Sequence, residues 1–258
     1  MYQYEVITPQ TALSFVVGAL RYGQEVKLKT ALMATDKGLT NLLNKTVFES
    51  LVEKPQEIKT YDDFLDKITV EDRSALIMGI YHNSYGDEYT TETTCPYCGK
   101  TNKNLVRLSK YSKASFYNGK PLEFLNIKKE LSFNDGNFKI TLVPATLRNE
   151  LSLVDMTQTL DLTVTQTTIL LHTKQIEYDN KTFTVENNLI DILATLDLLL
   201  PKDVRQIRKT IEEVFEKYKL EVPYKVKCVH CNQEYSRTLD FVGEFFKQII
   251  EAWYYNTR

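Results

Sequence analysis

Cys95-Pro96-Tyr97-Cys98-Gly99-Lys100 and Cys228-Val229-His230-Cys231-Asn232-Gln233 hold all four cysteines of the chain, in two pairs of identical C-x-x-C spacing. Two residues between cysteines let one tight turn aim both thiolates at a common point, and two such turns complete the tetrahedral sulfur set that zinc prefers. Pro96 and Gly99 favour the first turn, and Asn232 tolerates the left-handed backbone conformation that glycine takes in such knuckles. Four thiolates leave no coordination position for water, so the expected ion is a structural Zn2+ and not a catalytic one. His230 is an alternative ligand on composition alone, but its central position strains a two-hairpin geometry.

The spacing makes the fold. Because 129 residues separate the pairs, the ion would tie two hairpins, 94–108 and 225–239, with the middle of the chain inserted between them. The expected fold class is α+β, mostly helical with β-hairpins and a four-cysteine zinc-ribbon-like element assembled from two distant CxxC knuckles. The expected organisation is an N-terminal extended arm and helical region (1–92), zinc-ribbon halves (93–110 plus 224–240), an inserted β-hairpin and helical region (111–223) and a C-terminal aromatic helix (241–258).

Local patterns fill in the rest. An extended start at 5–8 precedes a helical stripe of Leu39, Leu42, Leu43, Val47 and Leu51, closed by Pro55. Thr60 with Asp63, and Thr69 with Asp72, place a hydroxyl three residues before a carboxylate, as a capping box requires, and predict two helix starts. The second helix runs through Ala75, Leu76, Met78 and Ile80 to the Tyr85-Gly86-Asp87 turn. Hairpins are predicted for 131–133 with 138–143, around Asp135-Gly136, and for 175–178 with 182–185. Leu147, Leu151, Val154 and Met156 mark a helix after Pro144. Residues 187–200 are apolar on most faces, as in a helix buried between neighbours or against a partner. Pro201 opens an amphipathic helix whose Val204, Ile207, Ile211, Val214, Phe215 and Tyr218 share a face.

Composition excludes several function classes. The chain has 258 residues, with 43% hydrophobic and 26% charged, an ordinary globular balance. A net charge of -2 does not suit a chain that binds nucleic acid over its whole surface. The start carries no basic stretch followed by an apolar one, so a secretory leader is not expected and the protein should stay in a cytoplasm. There disulfides are disfavoured. A thioredoxin-like pair would not explain two matched motifs, and iron–sulfur spacings differ. No apolar run approaches the roughly 20 residues of a membrane span. P-loop, G-x-G-x-x-G, G-x-S-x-G and H-E-x-x-H patterns are absent, and His82 and His172 stand near no nucleophile pattern. No catalytic residue and no small-molecule substrate are expected.

Two surfaces could meet partners. Lys202, Arg205, Arg208 and Lys209 crowd the start of the helix after Pro201, where positive charge opposes the helix dipole; a solvated mixed-charge face with Glu212, Glu213 and Glu216 is the preferred explanation, and partner contact the alternative. At the C-terminus Phe241, Phe245, Ile249 and Trp253 recur at helical spacing, with Phe246, Ile250 and Tyr254 widening the stripe. That pattern suits either a core-packed helix or a docking helix.

The order of elements resembles a known family. A helix reading Asp72-Arg-Ser-Ala-Leu-Ile-Met-Gly-Ile-Tyr-His-Asn-Ser-Tyr-Gly86 leads into the first cysteine pair, and a β-rich then helical middle leads to Cys228-Val229-His230-Cys231 and then Phe245-Phe246. This resembles the T4-type bacteriophage baseplate hub assembly proteins over most of the chain, most distinctively at 69–108 and 225–246. The resemblance implies a late phage protein that helps build the baseplate of a contractile tail through contacts with hub, wedge or tail proteins. It implies assembly in the host cytoplasm, a place in the virion baseplate and no catalysis. The residues it maps are the four cysteines, Phe245 and Phe246. The rival reading is a zinc-ribbon nucleic-acid-binding regulator using Lys202, Arg205, Arg208 and Lys209.

Overall fold

The computed structural model describes residues 3–34, 38–157, 160–239 and 245, and within them the chain is α+β. The antiparallel strands β1 (Tyr4–Ile7) and β2 (Ser14–Val17) open it. Helices α1 (Tyr22–Met33) and α2 (Leu39–Glu49) follow, and β3 (Leu51–Glu53) returns to pair with β2, giving the sheet order β1-β2-β3. Only the first of these strands was legible, because four- and three-residue strands carry too little alternation to register. The leucine stripe accordingly splits. Ser50 donates its backbone and hydroxyl hydrogens to the carbonyl of Thr46, so the helix closes there and Leu51 is buried by the sheet.

Helices α3 (Tyr61–Lys67) and α4 (Val70–Tyr85) start at the two expected capping boxes. Thr60 Oγ1 accepts from the Asp63 amide at 3.0 Å, and Thr69 Oγ1 from the Asp72 amide at 3.2 Å. At Gly86 φ is +91°, a conformation open to glycine and strained for other residues. The chain turns there into β4 (Glu88–Thr94), which pairs with β5 (Thr101–Arg107). β4 begins well before the cysteines; the polar run Thr90-Thr91-Glu92-Thr93 hides this from a hydrophobic reading. A helical turn, α5 (Leu108–Tyr111), and a short β6 (Lys113–Ala114) follow.

The middle of the chain builds a second sheet. Strands β7 (Lys129–Phe133) and β8 (Phe138–Leu142) form the expected hairpin, with Gly136 at φ +90°. After α6 (Leu147–Thr157) and α7 (Val164–His172), β9 (Thr173–Tyr178) and β10 (Lys181–Thr184) form the second, turning on Asp179 and Asn180 at φ +50° and +59°. The sheet order is β10-β9-β8-β7. Helices α8 (Val185–Leu196) and α9 (Pro201–Val214) cover it. The final described strands are β11 (Leu220–Glu221), paired with β6, and the hairpin of β12 (Pro223–Lys227) and β13 (Glu234–Thr238).

Two apolar clusters result. The first contains Phe15, Val17, Phe64, Leu76 and Tyr81 together with Tyr89, Val106, Tyr224 and Val226, so both cysteine-bearing hairpins rest on the N-terminal core. The second contains Phe138, Ile140, Ile176, Ile192, Ile207, Ile211 and Phe215. Residues 8–11 are buried where the two meet. The Asp72 carboxylate, wholly buried, accepts from the Gln10 amide at 2.8 Å and the Thr11 hydroxyl at 2.7 Å, while the Gln10 side chain donates to the carbonyl of Phe215.

Candidate metal centre

The two cysteine turns are built alike. In each, the amide of the first cysteine donates to the carbonyl five residues on, Cys95 to Lys100 and Cys228 to Gln233, both at 2.9 Å. The amide four residues on donates back, Gly99 to Cys95 at 3.0 Å and Asn232 to Cys228 at 2.9 Å. Gly99 and Asn232 occupy the same left-handed position, at φ +69° and +59°. Hairpin register sets the tips: Thr94 faces Thr101, and Lys227 faces Glu234.

These turns bring the four sulfurs together. Cys95 Sγ lies 3.7 Å from Cys231 Sγ, Cys98 Sγ lies 3.6 Å from Cys228 Sγ, and all four fall within 4.8 Å of one another. A tetrahedral ion with bonds of about 2.3 Å to sulfur would set its ligands ~3.8 Å apart, so the donor set fits. The thiols are free, since a disulfide needs sulfurs about 2.05 Å apart. Cys95 and Cys228 are buried, and Cys98 and Cys231 half-buried.

The clustered sulfurs perturb one another's ionisation. Burial would raise the Cys228 thiol, but the amides of Cys231 and His230 and the neighbouring Cys231 and Asn102 side chains outweigh it and lower it to about 6. The Gln233 amide favours a Cys231 thiolate, yet burial and the other three sulfurs push that thiol up to about 12. Thiols this close oppose one another's ionisation, because like charges converge.

A polar seam that the sequence did not reveal locks the hairpins together. Asn102, 2% exposed, accepts from the Val229 amide at 3.0 Å and donates to Tyr235 Oη at 3.4 Å. Tyr235 Oη and Thr93 Oγ1 are 3.0 Å apart, and Arg237 donates to the carbonyl of Thr94 at 3.2 Å. An asparagine four residues after Cys98 was the only available signal. His230 points its ring at the carbonyl of Thr101, 3.3 Å away, and is not part of the sulfur group.

The other sequence-selected residues lie elsewhere. Lys202, Arg205 and Lys209 are exposed and Arg208 half-buried on α9, which packs in the second core. Arg208 pairs with Glu212 at 3.1 Å and Lys209 with Glu213 at 3.6 Å. Phe245 is buried in the same core as the cysteine hairpins. Phe246 and Trp253 lie outside the described residues. His172 is buried, donates from Nδ1 to the carbonyl of Val143 at 2.9 Å and stacks on Phe215; burial lowers its pKa to about 4. Among the described residues no helix is long and apolar enough to cross a membrane.

A family model described as T4 bacteriophage base plate protein matches residues 2–247. No curated protein sequence and no solved structure matches the chain.

Proposed function

The chain belongs to the T4 bacteriophage base plate protein family, and from that membership we propose that it is a structural or assembly component of a contractile-tail baseplate, acting through protein contacts on a zinc-stabilised scaffold. The carrying observation is a match that spans both cysteine pairs, and four sulfurs gathered within 4.8 Å of one another support the metal reading. Cys95, Cys98, Cys228 and Cys231 hold a structural Zn2+. The ion fastens two hairpins to each other and, through Tyr89, Val106, Tyr224 and Val226, to the N-terminal core. The resulting rigid body presents surfaces to hub, wedge or tail proteins and performs no catalysis. Phe245 is buried in the first core, and Phe246 and Trp253 are the aromatic residues this reading assigns to partner contact.

Quantitative mass spectrometry of purified phage particles and of baseplate intermediates from infected cells tests this reading. Stoichiometric presence in one or the other is expected. Absence from both, with abundant free protein in the lysate, would overturn it.

A further inference from the structure

The solvent side of α8 is explained neither by the cysteine centre nor by the core. Leu189, Ile192 and Leu196 are buried, whereas Ile190 is 64% exposed, and Ala194 and Leu198, also exposed, follow it at steps of four. Ile190 and Ala194 share one face of α8, and Leu198, in the turn just past the helix end, adds to the exposed apolar patch. Glu186, Asp191 and Asp197 are exposed beside it, no Lys or Arg occurs in residues 185–200, and among the described residues none of these carboxylates has a salt-bridge partner. Asp197 sits at the C-cap, where negative charge opposes the helix dipole, so it does not serve the stability of its own helix.

The cysteine hairpins carry the complementary surface. Residues 88–107 and 223–239 contain six basic and three acidic side chains, although the whole chain is net negative. Glu88 and Glu92 are paired with Arg107 and Lys103. Lys100, Lys225 and Lys227 remain exposed close to the knuckles, whose tips present Tyr97 at 63% and Val229 at 75% exposure.

We infer that the knuckle tips of one copy dock on the α8 face of a second copy, apolar tips on the apolar patch and lysines against the carboxylates. Both complementary surfaces are carried by one chain, both are open to solvent in a single copy, and they belong to different cores. The contact is therefore heterologous: each copy offers both halves, and subunits add head to tail. This goes beyond the baseplate reading and does not depend on it.

Sedimentation equilibrium of the full-length, metal-replete protein over a range of concentrations and salt tests it. Self-association that weakens with salt is expected. The double reversals D191K/D197K and K225E/K227E should each weaken it by roughly tenfold or more, and the protein carrying all four substitutions should recover it. Thermal melts of each variant establish that the fold is intact, and Ile190→Ser, at an exposed position, should weaken association without lowering the melting temperature. A wild-type protein monomeric at every concentration, association indifferent to both reversals, or reversals not cured by their combination would each overturn the inference while leaving family membership untouched.

Discussion

Arg73 of α4 and Glu150 of α6 form a bidentate ion pair where the two cores meet, with Arg73 Nη2 2.8 Å from Glu150 Oε1. The second guanidinium nitrogen bonds both Glu150 and, at 2.7 Å, Asn44 Oδ1. α6 supplies Leu147 to the first core and Leu153 to the second, so this pair holds a helix shared by both. The Arg73 side chain is 5% exposed and that of Glu150 20%.

Removing one partner should cost more than removing both. Glu150→Ala leaves a buried guanidinium with only Asn44 opposite it, a loss of about 3 kcal/mol. Arg73→Met combined with Glu150→Leu removes the stranded charge as well as the pair and should be the milder change. Urea unfolding of the three proteins checks the order; a double variant less stable than Glu150→Ala would show that the pair is worth more than its desolvation.

Metal removal should reach beyond the knuckles, because both hairpins rest on the N-terminal core. Structural zinc contributes ~10–16 kcal/mol in small domains, and a loss of even about 4 kcal/mol would lower Tm by roughly 10 °C in a chain this size. Chelation, Cys95→Ser and Cys228→Ser should each produce such a drop, and the serine variants should no longer respond to chelator. Asn232→Gly should be tolerated at its left-handed φ, while Asn232→Val should not. Calorimetry with and without chelator decides; a Tm unmoved by chelation of protein shown to contain one equivalent of zinc would remove the ion's structural role.

What could be read in the sequence was local chemistry. The boxes at Thr60 and Thr69, the turns at Gly136 and Asp179-Asn180, and the knuckle residues Gly99 and Asn232 each dictate a conformation within a few residues, and each appears where expected. What could not be read depends on residues far apart. Asp72 was legible as a capping carboxylate, but its bonds to Gln10 and Thr11 depend on a loop more than 60 residues away in sequence. Asn102 looks like an ordinary polar strand residue until Val229 and Tyr235 are brought to it. The apolar run at 187–200 was legible as hydrophobic, but its division into a core face and an exposed patch depends on where β9, β10 and α6 lie.

His172 makes stability depend on pH in a stated direction. Burial lowers its folded pKa to about 4, whereas in the unfolded chain it takes up a proton near 6.5. The folded state therefore binds fewer protons between those values. Its contribution is fully present above about pH 6.5 and falls away as the pH drops toward 4, by about 3 kcal/mol in total. His172→Asn keeps a donor near Val143 but does not titrate. The stability difference between wild type and this variant, followed by urea unfolding from pH 7 to 4, should move against the wild type as acid is added; a constant difference would sink the assignment.

Two glycines should respond to alanine with opposite signs. Gly23 lies in the first turn of α1, and a methyl added at its Cα would meet nothing within 4 Å, so Gly23→Ala reduces unfolded-state freedom without a clash and should stabilise by about 0.5–1 kcal/mol. Gly79 lies where α4 crosses β1 and β2, and a methyl there would stand 2.6 Å from Val6 Cγ2 and 2.8 Å from Val17 Cγ2. Both are stiff β-branched side chains in a buried sheet face, so neither can swing aside cheaply. Overpacking at ~1–3 kcal/mol then exceeds the helix-propensity gain of about 1 kcal/mol, and Gly79→Ala should be destabilising. Adding Val6→Ala to Gly79→Ala opens space for the new methyl, so the double variant should be more stable than the sum of the two single losses. Denaturant midpoints of the single and double variants measure this coupling; strict additivity would show that the helix shifts away from the sheet and that the valine methyls do not set its approach.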